Sequence, residues 1–149
     1  MTDFQARASQ QGQLFEKQCR LILDGLGFDV DDKPTVLEDI GVEVDATATN
    51  RAGQLFLFEF KGSWFGSRPG GRRTDTTKKA VLTGFLLLHG SPIRTPYVVL
   101  TSHLPKPGSR GATQIDIALR AGAIHDVICV NDPGDMARLE ELVHEEVAS

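Results

Sequence analysis

Residues Val42 to Trp64 read VEVDATATNRAGQLFLFEFKGSW. In the first part, Val42, Val44, Ala46 and Ala48 alternate with Glu43, Asp45 and Thr47. A period of two predicts a strand with one polar face. Asn50-Arg51-Ala52-Gly53 supplies turn residues. Leu55 to Lys61 then reads as a second strand, with Phe56, Phe58 and Phe60 on one face and Leu55, Leu57, Glu59 and Lys61 on the other. Both faces are apolar up to Glu59. Such a strand belongs in the middle of a sheet, covered on both sides.

A hairpin turning about Ala52 sets Asn50 against Gln54, Thr47 against Leu57, Asp45 against Glu59 and Glu43 against Lys61. Opposed side chains on one face have Cβ atoms roughly 4.5–5.5 Å apart. Two carboxylates so placed repel each other, and one at the end of a buried strand also loses hydration. A divalent cation between them removes both costs. A slip of one residue would turn these side chains to the other face.

Outward from this pair, Gly12 to Leu26 predicts a helix. Its apolar stripe is Phe15, Cys19, Ile22 and Leu26, widened by Leu14 and Leu21, with Gly27 as C-terminal cap. Glu16 lies at the stripe's margin, where Arg20 at i+4 is a natural partner. Phe28 to Val30 begins a short strand, Asp31-Asp32-Lys33-Pro34 is a turn, and Thr35 to Ile40 is ambiguous. On the other side, Gly62 to Arg73 (GSWFGSRPGGRR) reads as a mobile loop. No Gly-Lys-Ser/Thr follows it, so it is not a phosphate-binding P-loop. Its Trp64 and Phe65 read either as caps on the core or as a stacking surface for an unpaired base.

Thr74 to His89 predicts a second helix, capped by Thr74 or Thr76 and ended by Gly90-Ser91-Pro92. A buried strand Tyr97–Thr101, a helix Ala112–Ala121 and a strand Asp126–Val130 follow. Asp132-Pro133 then opens a last helix, striped by Met136, Leu139, Leu142 and Val143 and reaching about Val147. Strands separated by helices imply parallel crossovers in the later part of the sheet. The expected fold is α/β, a mixed central sheet flanked by helices, in one domain over residues 1–149.

Composition narrows the function classes. The chain is 40% hydrophobic and 24% charged, an ordinary globular mixture. No apolar run approaches the roughly 20 residues that span a bilayer. The polar start MTDFQARASQQGQ lacks the apolar core of a secretory signal. The expectation is a cytoplasmic protein with no membrane partner. Cys19 and Cys129 sit among apolar neighbours and read as buried free thiols. The four histidines are scattered, which argues against a zinc centre.

The net charge is −4, but Lys61, Arg68, Arg72, Arg73, Lys78 and Lys79 face only Asp75 between positions 61 and 79. That segment carries a local +5 directly after the acidic pair. It reads as a solvated loop or as a surface that faces nucleic-acid phosphates.

The arrangement GVEVDATA followed by LFLFEFKGSW resembles the PD-(D/E)XK nuclease superfamily, the restriction-endonuclease-like fold. The family signature is an acidic residue on one strand, then Asp or Glu, any residue, and Lys on the next. Here these are Asp45, Glu59, Phe60 and Lys61. Val44 stands where the family name has proline. The resemblance implies an αβββαβ core and a DNA endonuclease. Asp45 and Glu59 would hold Mg²⁺ with the Phe60 carbonyl, and Mn²⁺ can substitute. Many members also carry a glutamate on the first helix near the metal, for which Glu16 is the candidate. Lys61 would orient the attacking water, take its proton or stabilise the developing charge. Glu43 is a salt-bridge partner for Lys61 or a further ligand, with the salt bridge favoured.

Partners expected on this reading are DNA and either a second copy of the chain or a targeting protein. The alternative is a non-catalytic nucleic-acid-binding or assembly subunit on the same fold. Ser102 and His103 are a further nucleophile–base pair by type. Adjacent residues at a strand end point to opposite faces, which places them poorly.

Overall fold

The computed structural model describes residues 3–62 and 71–147, with side chains described for 10–62 and 76–147. Helix α1 (Asp3–Leu26) starts nine residues before the predicted Gly12. Phe15, Cys19 and Leu23 form its buried stripe, while Leu14 and Leu21 are 65% and 72% exposed and do not widen it. Leu23 lies four residues beyond Cys19, so the helical period carries the stripe through it rather than through Leu21. Gly27 ends the helix with φ +115, and its N–H reaches the Leu23 carbonyl.

Two short strands follow, β1 (Asp29–Val30) and β2 (Thr35–Leu37), then a single 3-10 turn, Glu38–Ile40. The single strand expected over Val42 to Ala48 is two: β3 (Val42–Val44) and β4 (Ala46–Thr49), with Asp45 between them. Strand β5 is Leu55–Lys61, as predicted. After residues outside the described set come α2 (Gly71–Gly90), β6 (Tyr97–Thr101), α3 (Arg110–Ala121), β7 (Asp126–Cys129) and α4 (Pro133–Leu142).

The main sheet has the order β1-β4-β5-β6-β7, antiparallel up to β5 and parallel beyond it; β2 and β3 pair separately. The molecule is therefore α/β, a mixed five-stranded sheet flanked by helices. One apolar layer joins α1 and α4 to the sheet through Phe15, Leu23, Phe56, Phe58, Ile128 and Leu139. Phe28 sits edge-on to Phe56 and Phe58 within it. The other layer joins α2 and α3 through Val44, Leu57, Leu87, Tyr97, Val99 and Ile124. Among the described residues, no helix is long and apolar enough to cross a membrane.

The free edge of β7 is closed by side chains. Val127 N–H donates to the Asp126 carboxylate and Cys129 N–H to Asp135, while Arg138 reaches the Val127 carbonyl and Asp132 N–H the Cys129 carbonyl.

Asn50 ties the hairpin to the C-terminal segment. It is 5% exposed and uses its whole hydrogen-bonding capacity. Nδ2 donates to the Leu142 and Glu145 carbonyls, and Oδ1 accepts from Ala52 and Gln54 N–H. Asn50→Ala strands these groups in the interior. The expected loss is about 2–4 kcal/mol of stability, read by urea denaturation. A loss within error would mean that water replaces the side chain.

Candidate active site

The site begins where a strand stops. The β4–β5 ladder runs Thr49↔Leu55, Thr47↔Leu57 and Ala46↔Phe58, the register predicted from the turn. One step further it would set Asp45 against Glu59, then join Phe60 to Val44. It does not continue, because the chain bends at Asp45 and β3 leaves to pair with β2. The break also reverses the faces. Val42 and Val44 pack under α2, while Ala46 and Ala48 pack under α1.

Phe60 N–H has thus lost the Val44 carbonyl as partner. The Asp45 carboxylate takes its place, with Oδ2 accepting from Phe60 N at 2.8 Å. In an extended strand a residue's N–H and C=O point to the same side. The Phe60 carbonyl therefore faces the same gap, beside Asp45.

Glu59 is 5% exposed on the α2-facing side of β5. Tyr97 Oη donates to its Oε2 at 2.8 Å, and Tyr97 also shares a hydrogen bond with Thr83. The Asp45 and Glu59 carboxyls lie within hydrogen-bonding reach of each other. Burial, then this contact and the Asp45 charge, push Glu59 up to about 8 from 4.5, with Lys61 pulling the other way. At neutral pH without a cation, Glu59 therefore holds its proton.

Glu16 approaches from α1 without joining the carboxyl pair. Its carboxyl is pushed up by partial burial and by the Asp45 charge, and pulled down by Arg20 and Lys61. No ion pair joins it to Arg20, whose guanidinium instead donates to the carbonyls of Asp31 and Asp45. Lys61 ends β5 on the same face as Glu59, half-buried. The next residue, Gly62, passes so close to α1 that a Cβ there would lie 2.9 Å from Phe15 Cβ, and its carbonyl accepts from the Ser102 hydroxyl. The C-terminal end of β5 is thereby fixed between α1 and the end of β6. Asp45, Glu59, the Phe60 backbone and Lys61 are brought together, with Glu16 near enough to feel the charges of Asp45 and Lys61.

No family model, curated protein or solved structure matches this chain.

Glu43 is not part of the group. It sits exposed on β3 opposite Val36, so the expected pairing with Lys61 does not form. Burying Val42 and Val44 under α2 turns the residue between them outward. Among the described residues, Lys61 makes no ion pair within 4.0 Å.

The basic residues divide. Arg68, with Trp64 and Phe65, lies outside the described residues. Arg72 and Arg73 belong to the first turn of α2 rather than to a loop, because the helix starts at Gly71. Thr74 and Thr76 are likewise inside the helix and do not cap it. Lys78 and Lys79 are exposed on α2.

Two further points depart from the sequence reading. The chain bends after Thr101 and brings His103 Nδ1 to 3.0 Å from Ser102 Oγ, so the two are not splayed apart. Ser102 nevertheless gives its proton to the Gly62 carbonyl, which leaves the imidazole without a base's role toward it. Tyr97 was not anticipated as a partner of Glu59. Its signal was a lone phenol in an otherwise apolar strand, since a buried Tyr O–H needs an acceptor. Cys19 and Cys129 are buried free thiols, as expected.

Among the described residues, no three His, Cys, Asp or Glu side chains gather as a metal-holding group. What stands at the gap is a carboxyl pair with a main-chain carbonyl beside it. Mg²⁺ commonly takes one or two carboxylates and keeps several waters. The donor set fits a hard, hydrated cation of that kind, and it lacks the soft ligands that zinc sites use.

Proposed function

We propose that this chain is a Mg²⁺-dependent DNA endonuclease on a restriction-endonuclease-like core of the PD-(D/E)XK type. The observation that carries the reading is the break at Asp45. It sets one carboxylate against a second, buried one, and leaves the Phe60 carbonyl turned to the same gap. A folded chain gains nothing structural from two adjacent carboxyls, one of them buried and forced to keep its proton. A cation-binding site needs that pair. The element order supports the reading too: α1, β1, β4, β5, α2 and β6 give αβββαβ, with the β2–β3 pair as an addition.

Asp45, Glu59 and the Phe60 carbonyl would hold Mg²⁺, with Glu16 reaching it through water. The ion would supply charge neutralisation and an activated water. Tyr97 keeps one Glu59 oxygen fixed, and Phe60 N–H does the same for Asp45. Lys61 stands beside both, placed to orient that water, take its proton or stabilise developing charge. Lys78 and Lys79, and Arg72 and Arg73 at the start of α2, supply positive charge for the phosphates.

The non-catalytic alternative draws on one observation, that among the described residues only two acidic side chains meet at the gap and no third joins them. Cleavage decides between the readings. The protein with Mg²⁺ or Mn²⁺ is expected to cut DNA, EDTA to stop it, and Asp45→Asn to lower the rate by about 10²–10³-fold. Unchanged DNA binding by wild type and Asp45→Asn, with no cutting of linear, nicked, branched, single-stranded or methylated DNA, would establish the alternative.

A further inference from the structure

Asp45 is held on two sides, and only one of the holds is its own. Its carboxylate replaces the missing ladder bond towards β5. Its main-chain carbonyl points the other way, towards β1, which has ended at Val30. Asp31 N–H still reaches the Thr47 carbonyl, but past that bond the chain turns away, with Lys33 N–H going to the Asp31 carboxylate. The Asp45 carbonyl is left without a strand partner.

Arg20 fills that place. Its Nη2 donates to the Asp45 carbonyl and its Nη1 to the Asp31 carbonyl, each at 2.8 Å. One guanidinium thus bridges the two strand ends where their ladder stops. The same group lies 5.6 Å from the centre of the Phe60 ring, the residue whose N–H and carbonyl face Asp45. Arg20 sits one helical turn beyond Glu16 on α1. The planar, forked donor set of arginine suits a bridge between two acceptors over an aromatic face; a lysine ammonium has no such fork.

We propose that Arg20 is a positioning residue of the acidic site: it fixes the backbone at Asp45, so that the Asp45 carboxylate stays on Phe60 N–H and against Glu59. The inference rests on the metal-site reading for its functional meaning, and its structural half stands apart from it. Arg20 touches neither the reacting atoms nor the carboxyl oxygens in this role. It acts through the Asp45 main chain.

The test uses Arg20→Met, which keeps the stem over Phe60 without donors, and Arg20→Lys, which keeps the charge without the fork. The first readout is hydrogen exchange at the Phe60 amide in the metal-free protein, against amides elsewhere in the same strand. Arg20→Met is expected to speed exchange at Phe60 while Phe58 stays protected, and Arg20→Lys to give an intermediate rate. The second readout is Mg²⁺ or Mn²⁺ binding by calorimetry. Here Arg20→Met is expected to weaken the dissociation constant by about 10–100-fold, the usual effect of removing a group that orients a ligand, with Arg20→Lys recovering part of it.

Unchanged Phe60 exchange in Arg20→Met, or a uniform loss of protection along β5, would overturn the proposal. If wild type binds neither ion, the metal reading fails and the Phe60 amide still decides whether Arg20 holds Asp45. If wild type binds the ion and Arg20→Met binds it equally well, Arg20 is structural only and the proposal fails while the metal site stands.

Discussion

Lys61→Ala is expected to lower DNA hydrolysis by at least about 10²–10³-fold while the melting temperature moves by no more than a few degrees. The stability half follows from what Lys61 does not do. It is half-buried at the end of β5 and, among the described residues, makes no ion pair within 4.0 Å. Its removal leaves no buried group unpaired. The activity half follows from its charge, which lowers both Glu59 and Glu16. Without it Glu59 and Glu16 hold their protons more tightly and compete less well for a cation, and on the proposed function the phosphate would lose a positive group beside it. Lys61→Arg restores the charge but not the compact ammonium, so it is expected to recover cation binding more fully than turnover. Steady-state cleavage at saturating Mg²⁺, alongside thermal melts, checks this. Full activity in Lys61→Ala would rule out the site.

The second large effect is on pH-dependent stability in the absence of any cation. Glu59 titrates near 8 in the folded chain, against 4.5 when unfolded. Between those values the folded state holds one more proton than the unfolded state. Stability must then fall as pH rises through that window, and the loss is complete above pH 8. A shift of this size corresponds to at most about 5 kcal/mol. Glu59→Gln stays neutral throughout, can still accept from Tyr97 and can donate to Asp45. It is expected to be the more stable protein at pH 8 and to show a much flatter profile. Urea denaturation of EDTA-treated protein from pH 5 to pH 8.5 measures both. Mg²⁺ added to wild type should stabilise it more at pH 8 than at pH 5.5, because the ion competes with the proton on Glu59. Parallel profiles for wild type and Glu59→Gln would mean that the buried carboxyl is not the group responsible.

The parts legible in the sequence were those written in local pattern. The two apolar faces of Leu55 to Phe60 placed β5 at the centre of the sheet, and the Asn50–Gly53 turn set the register that placed Thr47 opposite Leu57. Asp132-Pro133 opened α4. The break at Asp45 was not legible, because VEVDATA alternates without interruption. What pulls β3 away is its pairing with Thr35–Leu37 and the burial of Val42 and Val44 under α2, both long-range. That single event misplaced Glu43 and hid the role of Arg20. Asp45 was singled out from the ladder it was expected to extend. In the fold it meets Glu59 although it leaves that ladder, its carboxylate being held by the Phe60 N–H.

The closed edge of β7 bears on how two copies of this chain could meet. All four outward-facing main-chain groups of Val127 and Cys129 already have partners within the same molecule. At the opposite margin β1 is two residues long, and one of them faces β4. Neither margin offers the run of free donors and acceptors that strand addition uses. On the proposed function, a pair of subunits formed to cut both strands of a duplex would have to join elsewhere than at the two margins of the main sheet. The relative orientation of the two sites would then not be set by one main sheet running through both subunits.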